Sequence, residues 1–193
     1  MPFLRPNVQN TASNNRMRWL FVVIGLALSA IISTSAIAYT KSAKQPPAMA
    51  SHIIIDKVLV DKAARQLQLL SAGEVIKTYH IALGGNPVGH KRQQGDERTP
   101  SGTYTLDYKN EKSKFYRSIH ISYPNATDKA RAKSLGVNAG GDIMIHGQKN
   151  GLGHLAAITQ KRDWTEGCIA VTNNEMDEIM AAVKIGTPIE IVE

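Results

Sequence analysis

Between His52 and Glu193 the apolar residues come in runs too short for long helices, and this sets the fold class. His52–Val60 (HIIIDKVLV), Arg65–Leu70, Val75–Leu83, Thr103–Tyr108 and Ser118–Ser122 have strand lengths and turn residues between them, such as Ser71-Ala72-Gly73-Glu74. Ile143–Ile145 and Ile169–Val171 are shorter apolar strands, and Pro188–Val192 reads as a closing one. A helical period is carried by Met176, Ile179, Met180 and Val183 at i, i+3, i+4 and i+7, behind a Thr172-x-x-Glu175 capping box and ahead of Gly186. Asp128–Ser134 predicts a short surface helix ended by Gly136, and Gly84–Gly102 a long loop rich in Gly, Pro and charge. The expectation is a mostly β domain with one or two short helices.

The N-terminal segment obeys different rules. Residues 1–18 are polar and carry Arg5, Arg16 and Arg18, whereas Trp19 to Ala38 is an uncharged run of 20 residues. A run of about 20 apolar residues is long enough to span a bilayer as a helix. The same residues fit a signal peptide, with an arginine-bearing start, an apolar middle and Ala36-Ile37-Ala38 as a cleavage site. Both readings, a cleaved signal or an inner-membrane anchor over residues 1–38, send the remainder out of the cytoplasm. Residues 39–51, with Pro46-Pro47, read as a linker to a domain at 52–193.

Charge excludes little except nucleic acid. The net +7 falls to +4 (20 Lys+Arg against 16 Asp+Glu) once the three N-terminal arginines are set aside. No basic run is interleaved with aromatics, so a nucleic-acid partner is not expected. The six histidines show no metal-ligand spacing, and neither a metal nor a cofactor is expected.

One cysteine, Cys168, cannot form an internal disulfide. In an exported chain such a thiol is either buried and inert or kept for its reactivity. A cysteine nucleophile needs a base that lowers its pKa from about 8.5, and backbone N–H groups for the oxyanion. Gly167 precedes Cys168, which permits a sharp turn. His146 ends an apolar strand and is followed by Gly147, and Gln148–Glu166 is a long polar loop.

Ile145-His146-Gly147, Leu152-Gly153 and Thr165-Glu166-Gly167-Cys168-Ile169, with Gly95-Asp96-Glu97-Arg98-Thr99-Pro100-Ser101-Gly102-Thr103-Tyr104 upstream, closely resemble the L,D-transpeptidase catalytic domain (YkuD-domain) family. Asp163-Trp164-Thr165 and Ala170-Val171-Thr172-Asn173 resemble its short exported Gram-negative branch. The resemblance implies a β-sandwich-like fold. It makes Cys168 the nucleophile, His146 its base and proton carrier, and the Gly147 carbonyl the group that orients His146. The N–H groups of Gly167 and Cys168 become the oxyanion donors, and Thr165, Trp164 and Arg98 candidate substrate-binding residues.

The implied partner is the peptidoglycan stem peptide, acted on in the periplasm by a monomer. The reaction is transpeptidation, giving 3→3 cross-links or protein attachment to the wall. Hydrolysis by the same pair, as a carboxypeptidase or amidase, is the alternative, and a non-catalytic peptidoglycan-binding module is the alternative of another class. Two positions depart from the commonest family pattern: Glu166 stands where His is usual, and Ala170 where Arg is usual. Lys91, Arg92, Arg98 and Arg117 are then the candidates for meeting a substrate carboxylate.

Overall fold

The computed structural model describes residues 53–193, so the uncharged run 19–38 and the linker lie outside the described residues. Eight strands run β1 (Lys57–Asp61), β2 (Gln66–Ser71), β3 (Glu74–His80), β4 (Gly102–Ser113), β5 (Tyr116–Ile121), β6 (Met144–His146), β7 (Ile169–Ala170) and β8 (Pro188–Val192). Three helices accompany them: α1 (Ala126–Ser134), α2 (Ala156–Thr159) and α3 (Asn173–Ala182).

The strands form one mixed sheet in the order β3-β2-β1-β8-β4-β5-β6-β7. Strict alternation turns Val58 and Val60 of β1, and Leu67 and Leu69 of β2, to the interior, and the parallel β1–β8 register sets Ile189 and Ile191 beside Val58 and Val60. β4 joins the two halves of the sheet. Its first residues, Gly102–Thr105, pair with β8, and Leu106 onward pairs with β5. Met176, Ile179, Met180 and Val183, the predicted helical stripe, are buried among Ile119, Ile145 and Ile169. Each such side chain contributes roughly 1.5–3 kcal/mol by leaving water.

The sheet curls until its two edges meet. Just beyond β3, Ala82 pairs with Ala170 of β7, with N–H···O distances of 2.9 and 2.8 Å in the two directions. Gly84 then bridges Thr165. This closure brings the chain after β3 against the Cys168 turn.

Three elements differ from the sequence expectation. β3 ends at His80, because the chain leaves β2 there to make the closing bridge. The β4–β5 hairpin continues to Ser113 and Tyr116, where the alternating charges of Lys109–Lys114 hide the strand. α1 starts at Ala126 rather than Asp128, because the Asn125 side chain accepts from the Thr127 and Asp128 N–H groups and completes a capping box.

Candidate active site

Cys168 and His146 come together through the parallel pairing of β6 and β7. Ile145 lies opposite Ile169 and His146 opposite Ala170, so Cys168, two residues before Ala170, falls on the same face as His146. His146 is 3% exposed and Cys168 is partly buried.

The histidine is held in one tautomer by its neighbours. Its Nδ1 lies 2.7 Å from the Gly147 carbonyl oxygen. A carbonyl can only accept, so Nδ1 carries the proton and Nε2 of the neutral ring keeps its lone pair. Gly147 is fixed in turn, for its N–H donates to the Arg117 carbonyl at 3.2 Å. A Cβ on Gly147 would stand 2.7 Å from Asn173 Oδ1 and 3.0 Å from Tyr116 Cβ, so no side chain fits there. Phe115 and Trp164 enclose the imidazole, with ring centroids 4.6 and 5.7 Å away. Burial lowers the His146 pKa, the Gly147 bond opposing it only in part, so the ring stays neutral below its ordinary range near 6.5.

The thiol is equally constrained. Its Sγ donates to the Asp142 carbonyl at 3.6 Å. Burial raises its pKa, and so do the Asp142 and Glu166 carboxylates; the Met144 N–H and Lys91 pull the other way. Both shifts favour a neutral thiol beside a neutral imidazole in the resting site.

The turn that delivers Cys168 depends on Gly167, whose φ is +123°. A Cβ there would come within 2.6 Å of the Arg98 carbonyl oxygen. The Gly167 N–H donates to Thr165 Oγ1 at 3.2 Å, whereas the Cys168 N–H has no acceptor among the described residues. Thr165 is buried, and its hydroxyl also donates to the Cys168 carbonyl at 2.7 Å. These two bonds fold the turn.

The other candidates divide. Trp164 covers the base. The Arg98 guanidinium lies beside the position of Gly89, and its carbonyl is what touches the Gly-Cys turn. Arg117 pairs with Asp177 at 2.7 Å and with Glu111 at 2.6 Å, and Lys91 with Asp96 at 2.8 Å, so neither is free for a carboxylate. Arg92 and Glu166 are exposed.

Several supporting residues gave no sequence signal. Gln148, 1% exposed, donates to the Val171 carbonyl at 2.7 Å and accepts from Thr159 Oγ1 at 2.6 Å. Gln160 donates to the Ala170 carbonyl at 3.0 Å. Together they tie the 148–163 loop to β7. Asp163 closes the far end, taking the Arg65 guanidinium at 2.7 Å and the Leu83 N–H at 2.9 Å. Polar side chains buried by tertiary contacts are indistinguishable in sequence from a solvated loop. Phe115, as an aromatic residue between charges at a hairpin tip, was the one with a visible cue. Among the described residues no cluster of His, Cys, Asp and Glu could hold a metal ion.

The site thus consists of a strand-end histidine with its carbonyl clamp and a Gly-Cys turn on a curled mixed sheet. The chain belongs to the L,D-transpeptidase catalytic domain (YkuD) family, whose model matches residues 55–191. It is 28% identical over 180 residues to YafK of Escherichia coli (strain K12), which is named as a candidate L,D-transpeptidase; the match covers 86% of this chain and 64% of YafK. Among solved structures it is similar to the helical cell shape determining protein Pgp2 from Campylobacter jejuni, at 25% identity and a TM-score of 0.54, over 74% of this chain and 49% of that one. Bd1075 of Bdellovibrio bacteriovorus shares the fold, at 22% identity and a TM-score of 0.51, over 75% of this chain and 50% of that one. The chain therefore spans about half to two thirds of the length of these proteins.

Proposed function

We propose that the protein is a peptidoglycan L,D-transpeptidase that works through a thioester on Cys168. The observation that carries this reading is the β6–β7 register, by which Cys168 falls on the same face as His146, a histidine whose Nδ1 is occupied by the Gly147 carbonyl and whose Nε2 is left to accept a proton. In the first half-reaction His146 Nε2 takes the thiol proton, and the sulfur attacks the carbonyl of the L-centre of meso-diaminopimelate in a stem tetrapeptide. The Cys168 N–H faces the developing oxyanion. The C–N bond to D-Ala breaks, and the proton on His146 leaves with the amine. An amine from a neighbouring stem peptide, or from a wall-attached protein, then attacks the thioester, and His146 carries its proton to the returning thiol. Water in place of the amine would give the carboxypeptidase or amidase outcome.

A wall substrate calls for a domain outside the cytoplasm, and the arginine-flanked uncharged run 19–38 supports export to the periplasm, with or without retention in the inner membrane. The likeness to Pgp2 supports a part in cell-shape maintenance.

The test is muropeptide analysis of purified sacculi after incubation with the protein. Cross-linked 3→3 dimers that vanish with Cys168→Ala are the expected result. Shortened or detached stems without new dimers would replace the transferase reading with the hydrolase one, and unchanged sacculi would leave only a binding module.

A further inference from the structure

One buried hydroxyl beside the base takes no part in the site's hydrogen bonds. Ser118, on β5, is 1% exposed, and its Oγ has no hydrogen-bond partner among the described residues. Buried hydroxyls are nearly always bonded, and one left unpaired costs stability. Alanine would hold the same strand position without that cost, so the hydroxyl calls for a reason.

Its place in the sheet supplies one. Ser118 lies opposite His146 in the antiparallel β5–β6 register. The Gly147 N–H donates to the Arg117 carbonyl, and these two residues flank that pair. Ser118 and His146 therefore form a non-hydrogen-bonded pair, the narrow kind, with Cα atoms about 4.5 Å apart and both side chains on one face. The next pair, Ile119 and Ile145, belongs to the apolar core. Alternation leaves Ser118 on the opposite face, with His146 and Cys168.

Both ring nitrogens of His146 have other tasks. Nδ1 donates to the Gly147 carbonyl, and Nε2 is the proposed acceptor of the thiol proton. Once Nε2 is protonated, the ring carries a charge that its burial disfavours. Phe115 and Trp164, the rings that enclose it, are uncharged. His120, two residues along β5, is engaged with Asp107 at 2.6 Å. A hydroxyl with no fixed partner can rotate and turn a lone pair toward the new charge.

We propose that Ser118 is a positioning residue for the base, its hydroxyl oxygen turning to the His146 imidazolium that forms when the thiol gives up its proton. This rests on His146 being the base of the reaction proposed above. Ser118 keeps its own proton and forms no covalent bond. Its effect is that of a dipole aligned on a buried charge.

The test reads base and thiol directly on the full chain, apart from the fate of the sacculi. One readout is the His146 Cε1–H resonance through a pH titration, assigned by its absence in His146→Gln. The other is the rate of Cys168 alkylation by iodoacetamide at pH 7. Ser118→Ala should lower the His146 pKa by about half a unit and slow alkylation about threefold. Its urea midpoint should stay level or rise, because an unpaired hydroxyl has gone. Ser118→Thr should stay close to wild type, and its isostere Ser118→Val should behave as the alanine variant does. That pair carries the test if Ser118→Ala does not fold. In a His146→Gln background, Ser118→Ala should no longer change alkylation. An unchanged or raised His146 pKa in Ser118→Ala, whatever its stability, would make Ser118 a packing residue and overturn the proposal. Equal slowing in the His146→Gln background would do the same. If His146→Gln itself left alkylation at the wild-type rate, the base assignment would fail and this proposal with it.

Discussion

The half of the sheet formed by β1, β2 and β8 and the half that carries the site are held together by different forces. In the first, Val58, Val60, Leu67, Leu69, Ile189 and Ile191 interlock on the inner face, and order comes from apolar area. In the second, β6 and β7 have three and two residues, and the loops around them are pinned by buried polar groups: Gln148 and Gln160 on β7, Asp163 on Arg65, Asp96 on Lys91. A hydrophobic half tolerates volume-conserving change, whereas a polar network fails when one member leaves a buried partner unsatisfied. Cys168 and His146 sit where the polar half sets the geometry.

The sharpest break in this comparison is Cys168→Ala. It should reduce acyl transfer at least about a thousandfold, measured as loss of the muropeptide product. The urea midpoint should stay close to wild type, because the thiol contributes one weak bond to Asp142. The opposite pattern is expected in the other half. Ile189→Ala should lower stability by about 3 kcal/mol through a cavity between β1 and β4, with alkylation of Cys168 unchanged in the folded fraction. If Ile189→Ala changed thiol reactivity as strongly as stability, the two halves would not be separable.

Gln148→Leu probes the boundary. It strands the Val171 carbonyl and takes away the shortest acceptor of the Thr159 hydroxyl, so a loss of about 1–3 kcal/mol is expected. Activity should fall by more than the unfolded fraction explains, since the loop that carries Trp164 loses its tie to β7. Matching losses would mean that the network stabilises without positioning.

Acid should act through His146. Its folded pKa is depressed by burial, so the unfolded chain takes up the proton first as pH falls below about 6.5. Its contribution is complete above that pH and is lost as pH drops toward the folded value. His146→Gln should therefore show a shallower loss of stability between pH 7 and pH 5 than wild type in parallel urea titrations. The smallest effect is reserved for Glu166→Gln. The side chain is exposed, and its charge is the last-ranked influence on the thiol, so the alkylation midpoint should fall by less than about half a unit. A larger fall would bring Glu166 into the site.

Local signals in the sequence determined the alternating strands, the capped helix α3 and the family motifs around His146 and Cys168, because period, capping and turn chemistry act between residues a few positions apart. Tertiary structure alone decided the rest. Only the curled sheet, closed by Ala82 and Ala170, brings the 91–98 loop under the cysteine turn. That contact, the Arg98 carbonyl against Gly167, leaves no room for a Cβ there. Only the hairpin beyond Tyr108 carries Phe115 onto His146. The buried ties of Gln148, Gln160 and Asp163 were hidden for the same reason: the role of a polar side chain is set by partners distant in sequence, and alternation and spacing carry no record of them.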